Sequence, residues 1–413
     1  MADGVLELVC ECKHDPWGKL GKDSLAGRLW SHMPDAGELD DSETYSEMWM
    51  GTYPTVPSRV RATGESLLEH LKKNPDLVGE SICRSRYGAD IPFLPKILSF
   101  AKALPLQIHP DKALAEQLHK KNPEKFGDTN HKPEIAIALS RFEAFVGFKP
   151  LADIAELVRM EPLESLVPEH TEFNDETLRQ LCTNLLSLSP EAVSDIVTKL
   201  QNSPLSEFGN DHKVTSGNDH EVTSLLRRLN EQYPTSDNGI LVATLLMNYM
   251  ILQPGEAVCV PADSIHAYLS GDIMECMARS DNVLNTGFCP RPDRDDVGLF
   301  AEALSFKPHS PEESLLEKKT SQIGLKGRTT EYSPPISEFN VLGVTLRPKE
   351  IEAHRVIQSP SILVVTQGSG GMAVSDGSFH ELKEGSVYFA AIDAELKFST
   401  DAGLTLYRAY ATF

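Results

Sequence analysis

The hydrophobic pattern of this chain changes character twice, and this limits the possible folds more than any other feature. Up to about residue 150, short apolar runs separated by Gly and Pro are typical of β-strands. Over residues 151–252 apolar residues recur every three or four positions, as in amphipathic helices. From about Phe339 the strand-like runs return. The pattern therefore predicts a mainly β protein with a helical insert.

The helices are predicted from this spacing and from residues that favour helix starts. Asp175 and Ser189 are suitable N-caps, and Pro190 fits the first turn after Ser189. The predicted helices span residues 66–73, 112–121, 151–160, 175–188, 190–201, 225–233 and 238–252. We expect one β domain from residues 1–150 and 251–330, an α-helical domain from residues 151–250, and a smaller β domain from residues 331–413.

The formal net charge of −21 over 413 residues indicates which partners to exclude. A negative field opposes nucleic acid and anionic membranes, so we expect to find neither as a partner.

The seven cysteines are odd in number and lack disulfide-scaffold spacing, which favours a reducing compartment. No segment has the form of a signal peptide or a membrane span, so we expect a cytoplasmic protein.

Gln107 and His109 are the most informative pair of polar residues. They stand one residue apart in an apolar stretch, and alternate residues of a strand point to the same face. Glu134 opens another strand-like run, and His266 lies in a third. Two imidazoles, a carboxylate and an amide oxygen make a plausible set for one divalent ion, with zinc the natural choice. The alternative is that each is an ordinary hydrogen-bonded residue.

Other histidines are interpreted as structural. Residues 209–224 contain a tandem duplication that carries His212 and His220. A metal site is the alternative there, but Gly, Asn and Asp neighbours give no fixed geometry, so we favour a polar surface loop. His354 and His380 in the last β region have no matching pattern of ligands. We therefore expect a single metal site.

Longer motifs surround the predicted ligands and occur in order along most of the chain. They are DPWGKLG, YSEMWMGTYP, IPFLPKILSFAKAL, QIHPDKALAEQLH, HKPEIAIAL and VPADSIHAYLSGDIMECMARSDN. These segments resemble the type I mannose-6-phosphate isomerases of eukaryotes, especially fungi. The resemblance implies two cupin-type β-barrels, one catalytic and one smaller and C-terminal, beside the α-helical domain. It also implies one Zn²⁺ per chain, held by Gln107, His109, Glu134 and His266.

The resemblance further implies a reaction, the interconversion of mannose 6-phosphate and fructose 6-phosphate through an enediol, which feeds GDP-mannose synthesis. A zinc ion with one carboxylate ligand keeps positive charge that suits an enediolate. We expect Lys132, Glu275 or Asp281 to transfer the proton, and Lys96 and Arg279 to bind substrate. The lysines could instead be solvated surface residues, and the carboxylates could be hydrogen-bonded structural residues. We expect a monomer whose partner is a small sugar phosphate.

The chain departs from the family pattern around the substrate. The arginine that the family uses in catalysis is Asn285 here, and the lysine six residues later is Arg291. An amide carries no charge, so we expect Arg291, Arg279 or Arg294 to supply it, since a guanidinium binds phosphate in a fork. The net charge of −21 makes such a local basic cluster necessary. The alternatives are a silent paralogue that binds a sugar phosphate and a metal-dependent oxygenase.

Overall fold

The computed structural model describes residues 4–34, 36–79, 87–167, 172–204, 222–335 and 338–412. His212 and His220 of the duplicated segment lie outside these ranges. Within them the chain forms a nine-stranded sheet, a ten-stranded sheet and a two-stranded sheet, together with a group of helices. The prediction of a mainly β fold with several helices is confirmed.

The strands and helices follow one another in the order that the sequence pattern indicates. The strands are β1 Val5–Val9, β2 Lys19–Leu20, β3 Thr44–Tyr45, β4 Glu47–Trp49, β5 Arg59–Val60, β6 Phe93–Phe100, β7 Leu106–Ile108, β8 Glu134–Ala138, β9 Phe142–Phe148, β10 Met247–Leu252, β11 Ala257–Val260, β12 His266–Ala278, β13 Leu284–Gly287, β14 Lys319–Thr320, β15 Thr329–Tyr332, β16 Phe339–Leu346, β17 Ile351–His354, β18 Ser361–Val374, β19 Phe379–Lys383, β20 Val387–Ala390 and β21 Leu396–Ala411. The helices are α1 Leu25–Ser31, α2 Leu67–Lys73, α3 Lys112–Lys121, α4 Leu151–Leu157, α5 Asp175–Ser187, α6 Pro190–Asn202, α7 Val222–Gln232, α8 Asn238–Leu246 and α9 Val297–Ala303.

The nine-stranded sheet contains β4 and β6 to β13, and its long strand β12 organises the functional region. β12 pairs antiparallel with β6, β7, β8 and β9. One face of this sheet carries an apolar cluster that includes Phe100, Ala136, Phe142 and Tyr268. Because β12 meets four partners, side chains from five strands can converge on this face.

The ten-stranded sheet contains β1, β5 and β14 to β21, so it combines both ends of the chain. Val5 pairs with Ala390, and Leu8 pairs with Val387. The sequence analysis predicts one domain from residues 1–150 and 251–330, and strands β1, β5 and β14 of these ranges pair within the ten-stranded sheet. β1 illustrates this arrangement. The reason is burial on both faces: Val5 belongs to the core of the ten-stranded sheet, whereas Leu8 belongs to the core that spans both sheets.

The helical insert packs around a large apolar cluster that it shares with β9 and β10. The predicted N-cap Ser189 is confirmed, since its side chain accepts the N–H of Ala192. The prediction for α5 is wrong by one residue: Asn174 is the N-cap and accepts the N–H of Thr177. Asn174 has the extended backbone of a cap, while Asp175 is already helical.

The predicted helix 238–252 is wrong in its second half. Helix α8 ends at Leu246, and Met247–Leu252 form β10, which pairs antiparallel with β9. The whole run is apolar, and periodicity does not separate a buried helix from a buried strand. Pairing with β9, which is distant in sequence, decides the conformation.

Across the described residues, none of the helices is both long enough and apolar enough to cross a membrane.

Candidate active site

The pairing of three short strand segments places the predicted ligands side by side. His266 opens β12 and lies opposite Gln107 on β7, which in turn lies opposite Asn285 on β13. Directly opposed residues of antiparallel strands point to the same face. His266, Gln107 and Asn285 therefore form a row across three strands. His109 follows β7 and Glu134 opens β8, so both reach the same region.

His109, Glu134 and His266 form a compact buried cluster. One donor atom from each lies within 4.8 Å of the others. His109 Nε2 is 3.3 Å from Glu134 Oε1, and His266 Nε2 is 3.6 Å from Glu134 Oε2. Neither Nε2 atom has a hydrogen-bond partner, although both residues are fully buried. Buried polar atoms are nearly always paired, so these two nitrogens require another partner.

The other nitrogen of each imidazole fixes the tautomer. His109 Nδ1 is 2.8 Å from the carbonyl oxygen of Asn282, and His266 Nδ1 is 2.9 Å from that of Ser264. A carbonyl oxygen can only accept, so both Nδ1 atoms carry the proton and donate it. Each Nε2 then directs a lone pair at the carboxylate of Glu134. Lone pairs facing a carboxylate repel unless a cation lies between them, and metal-binding histidines are typically held in this way.

The protonation states also suit a metal. Burial lowers the pKa of His109 to about 4 and lowers that of His266, so both imidazoles are neutral near pH 7. Burial alone would favour the protonated acid of Glu134, but neighbouring Lys132 holds its pKa well below the usual range. Metal ions bind neutral imidazole and ionised carboxylate, so the cluster is ready to bind a cation.

A polar cavity of about 240 Å³ opens onto this cluster. It brings together six residues that the sequence predicted for the site: Lys96, Gln107, Lys132, Glu134, Glu275 and Asp281. It is also lined by residues that the sequence analysis did not assign: Lys13, Asp15, Trp17, Glu47, Trp49 and Tyr268. Four of these, Asp15, Trp17, Glu47 and Trp49, lie in the motifs DPWGKLG and YSEMWMGTYP. Membership of these motifs is the sequence signal that could have indicated them.

Lys96 and Glu275 face each other across neighbouring strands. Lys96 Nζ lies 3.1 Å from Glu275 Oε2 and 4.7 Å from the centre of the Trp49 ring. Burial raises the pKa of Glu275 to about 7, although Lys96 opposes this shift. For Lys96, burial would lower the pKa, but Glu275 and Glu47 raise it above its ordinary value. A carboxyl group that changes protonation near neutral pH can act as an acid or a base.

Lys132 lies on the same face as Glu134, as the extended backbone around Pro133 predicts. Its Nζ is 3.1 Å from Glu134 Oε1, and the side chain is mostly buried. Lys132 therefore contacts the cluster of His109, Glu134 and His266 and also lines the cavity.

The predicted arginines do not converge on this cavity. Arg279 lines a neighbouring cavity, where its Nη1 lies 2.9 Å from Asp90 Oδ1; Asp281 borders both cavities. Arg291 is exposed and donates to the backbone carbonyl of Ser236.

Arg294 and Asn285 are the remaining residues that the sequence analysis associates with substrate charge. Arg294 pairs with Asp237 at 2.7 Å. The side-chain oxygen of Asn285 is buried without a hydrogen-bond partner, and its backbone bonds to Asp295. Within the described parts of the chain, no lysine or arginine donates a hydrogen bond to Oδ1 of Asn285.

A buried His-Glu-His cluster below a polar cavity, in a mainly β fold with a helical insert, defines a metal-binding protein of the cupin-type class. The fold agrees with solved structures. A mannose 6-phosphate isomerase from Salmonella typhimurium in its apo form superposes with a TM-score of 0.81 at 25% identity over 100% of both chains. A zinc-bound mannose 6-phosphate isomerase gives a TM-score of 0.81 at 24% identity, again over 100% of both chains.

The sequence comparisons define the family more closely. The profile "Phosphomannose isomerase type I, catalytic domain" matches residues 5–151. The mannose-6-phosphate isomerase of Schizosaccharomyces pombe is 37% identical over 98% of this chain and 99% of its own length. That of Saccharomyces cerevisiae is 36% identical over 99% of both chains. The chain belongs to the type I mannose-6-phosphate isomerase family, a family of isomerases.

Proposed function

We propose that this protein is a zinc-dependent aldose–ketose isomerase that interconverts mannose 6-phosphate and fructose 6-phosphate. The observation that carries the proposal is the pair of neutral imidazoles whose Nε2 lone pairs face ionised Glu134 at the base of a polar cavity. The names of the fungal relatives, which align over nearly the whole chain, supply the substrate.

We propose that Gln107, His109, Glu134 and His266 hold one zinc ion per chain. Imidazole nitrogen and carboxylate oxygen are ligands that zinc accepts readily. The amide of Gln107 adds no charge, so the bound ion would keep positive charge and act as a Lewis acid toward the sugar oxygens.

The chain's own residues are proposed to carry the proton. Glu275 is buried with a pKa near neutrality, so it can accept a proton from carbon and return it to the neighbouring carbon. Lys96 holds the Glu275 carboxylate in place through their 3.1 Å contact. Lys132 and Asp281 line the same cavity and are proposed to orient the sugar hydroxyl groups. Removal of the C2 proton of the open-chain aldose would give an enediol, and return of that proton to C1, with transfer of the O2 hydroxyl proton to O1, would give the ketose.

Asn285 supports a second candidate function. Asn285 is uncharged, and no described residue donates a hydrogen bond to its Oδ1, so this position lacks the charge that the family resemblance leads us to expect. A catalytically silent protein that binds a sugar phosphate would have this property. The intact ligand cluster and the Lys96–Glu275 pair favour retained catalysis.

The family resemblance also leads us to propose a cytoplasmic monomer whose reaction feeds GDP-mannose synthesis.

A coupled assay distinguishes these functions. Zinc-loaded protein is supplied with mannose 6-phosphate, and formation of fructose 6-phosphate is followed before and after treatment with a chelator. We expect turnover that the chelator abolishes and added zinc restores. Binding of mannose 6-phosphate in a calorimeter without any turnover would support the silent protein and exclude the isomerase.

A further inference from the structure

We propose that Asn285 positions Gln107 for metal binding, by accepting a hydrogen bond from the side-chain amide of Gln107 so that the amide oxygen faces the ion. The inference rests on the proposed zinc site and gives a role to the position where the family resemblance leads us to expect an arginine. Because Asn285 acts through Gln107, it is a positioning residue and not itself a metal ligand.

The order of three strands places Gln107 between a proposed metal ligand and Asn285. On β7, Gln107 lies opposite His266 of β12 on one side and opposite Asn285 of β13 on the other. Directly opposed residues of antiparallel strands share a face, with Cβ atoms about 4.5–5.5 Å apart. The oxygen and the nitrogen of an amide point in different directions. The oxygen of Gln107 can therefore face the side of His266 while its nitrogen faces Asn285.

The side chain of Asn285 offers a buried acceptor that is not in use. Its Oδ1 is buried, and none of the described residues donates a hydrogen bond to it. The backbone of Asn285 is held separately: its N–H donates to Oδ2 of Asp295 at 2.7 Å, and its carbonyl oxygen accepts the N–H of Asp295 at 2.8 Å. The strand is therefore anchored without this side chain. Buried polar atoms nearly always have a partner, so Oδ1 requires a donor.

Gln107 is the donor that such an acceptor would suit. A glutamine binds a metal ion through its carbonyl oxygen, which leaves two N–H groups to be satisfied. The last torsion of a glutamine side chain is nearly two-fold, so the amide can turn over at little cost when its two ends have similar surroundings. A turned amide would direct N–H groups at the ion. An acceptor on the far side favours the orientation that binds metal, as outer partners do for other metal ligands.

The identity of residue 285 matters for this role. The guanidinium of an arginine has donors and no acceptor, so it could not receive the N–H of Gln107. At this position the chain therefore carries an acceptor in place of a positive charge. The consequence is a metal site that depends on Asn285 although Asn285 does not touch the ion.

The first test is the affinity for zinc, measured by competition between the metal-free full chain and a fluorescent chelator. Asn285→Leu keeps a branched side chain and removes both polar atoms. We expect it to weaken zinc binding about 10- to 100-fold, the usual effect of losing an outer partner of a ligand. The metal-free variant should unfold at a urea concentration no lower than that of wild type, because a buried acceptor without a donor has been removed.

Two control variants accompany Asn285→Leu. Thr286→Val removes another buried oxygen without a partner from the same strand, but Thr286 has no register partner on β7. This variant should keep its zinc affinity within about twofold of wild type. Asn285→Asp keeps an acceptor and should bind zinc at least as tightly as wild type. Unchanged zinc affinity in Asn285→Leu would overturn the inference, whereas wild-type protein that binds no zinc would overturn the proposed zinc site itself.

Gln107→Ala separates positioning from direct binding in a double-mutant cycle. If Asn285 acts through Gln107, Asn285→Leu should change the zinc affinity by less than about twofold once Gln107 is alanine. A further loss of about tenfold in that background would show that Asn285 acts on the ion without Gln107, and it would contradict the positioning role. A Gln107→Ala variant that binds zinc as tightly as wild type would remove Gln107 from the ligand set and overturn the inference with it.

Discussion

The two large sheets each bury histidine beside glutamate, yet the ring nitrogens of these histidines differ in whether they have hydrogen-bond partners. In the nine-stranded sheet, the Nε2 atoms of His109 and His266 face Glu134 without a hydrogen bond. In the ten-stranded sheet, both ring nitrogens of His354 are used. We call the first group the metal cluster, a candidate metal site formed by His109, Glu134 and His266. The second group is the relay cluster, formed by Thr329, Glu352, His354, Ser361 and Arg408.

Hydrogen bonds in the relay cluster run in one direction. Arg408 donates from Nη1 to His354 Nδ1 at 3.3 Å and from Nε to Ser361. His354 must then carry its proton on Nε2, which donates to Thr329 Oγ1 at 3.1 Å. Thr329 in turn donates to Glu352 Oε2. Glu352 also accepts the backbone N–H groups of Lys326 and Arg328, so His354 and Thr329 link the buried guanidinium to a buried carboxylate.

The difference shows what separates a binding site from a structural network. Both clusters contain histidine and glutamate with almost no exposure. The metal cluster leaves the Nε2 lone pairs of two histidines without a partner, directs them at one point and lies below a cavity. The unpartnered atom of the relay cluster is Nη2 of Arg408, which is a hydrogen-bond donor and cannot bind a metal ion. The relay cluster pairs its histidine and glutamate internally, which stabilises the sheet and leaves no ligand atom of His354 for a metal.

Removing one histidine from the metal cluster should have the largest effect. We expect His266→Ala to lose its zinc and to lower kcat/KM by more than about 100-fold, because loss of a ligand exceeds the effect of losing an outer partner. Metal analysis and the coupled assay measure both. His354→Ala is the matched control and should keep its zinc and most of its activity. Full zinc content in the His266 variant would exclude this residue from the ligand set.

A substitution in the relay cluster should lower the stability of the protein. We expect His354→Ala to lower the free energy of unfolding by about 2–4 kcal/mol, because Arg408 and Thr329 lose a buried partner. Denaturation with urea measures the change. His380→Ala, on the same sheet but partly exposed, should cost less than about 1 kcal/mol. Equal losses in the two variants would argue against a special role for the relay cluster.

The pH dependence of stability tests whether the pKa of His354 is lowered in the folded protein. Burial and the nearby Arg408 hold the pKa of His354 well below the ordinary value of 6.5. The unfolded chain therefore takes up a proton at this residue below pH 6.5, while the folded chain does not. The contribution of His354 to the free energy of unfolding of the wild type therefore falls as the pH decreases. We expect the stability gap between wild type and His354→Gln to narrow by about 1 kcal/mol from pH 6.5 to pH 5.5. A constant gap would show that His354 titrates normally in the folded protein.

Arg291→Ala should have the smallest effect, because Arg291 belongs to neither cluster. Its side chain is exposed and bonds to the carbonyl of Ser236. We expect unchanged zinc content and a change in kcat/KM of less than about twofold for mannose 6-phosphate, as for most exposed residues away from a site. A loss of tenfold or more would bring Arg291 back as the missing positive charge, and it would contradict the placement of this side chain away from the cavity.

Local pattern was enough to predict part of the site. Alternation along a strand placed Gln107 with His109 and Lys132 with Glu134, since these relations depend only on neighbouring residues. The pairing of β1 with β20 and of β10 with β9 depends on strands far apart in sequence. The surroundings of Arg291 are equally non-local. For this reason the sequence could name a candidate for the missing charge but not show where its side chain lies.

Anomalous diffraction at the zinc edge, from crystals of the zinc-loaded protein, tests the difference between the two clusters most directly. We predict one strong peak about 2.0–2.2 Å from the donor atoms of Gln107, His109, Glu134 and His266. No peak is expected at His354. A peak at the relay cluster, or a metal cluster that stays empty in the presence of zinc, would contradict the account.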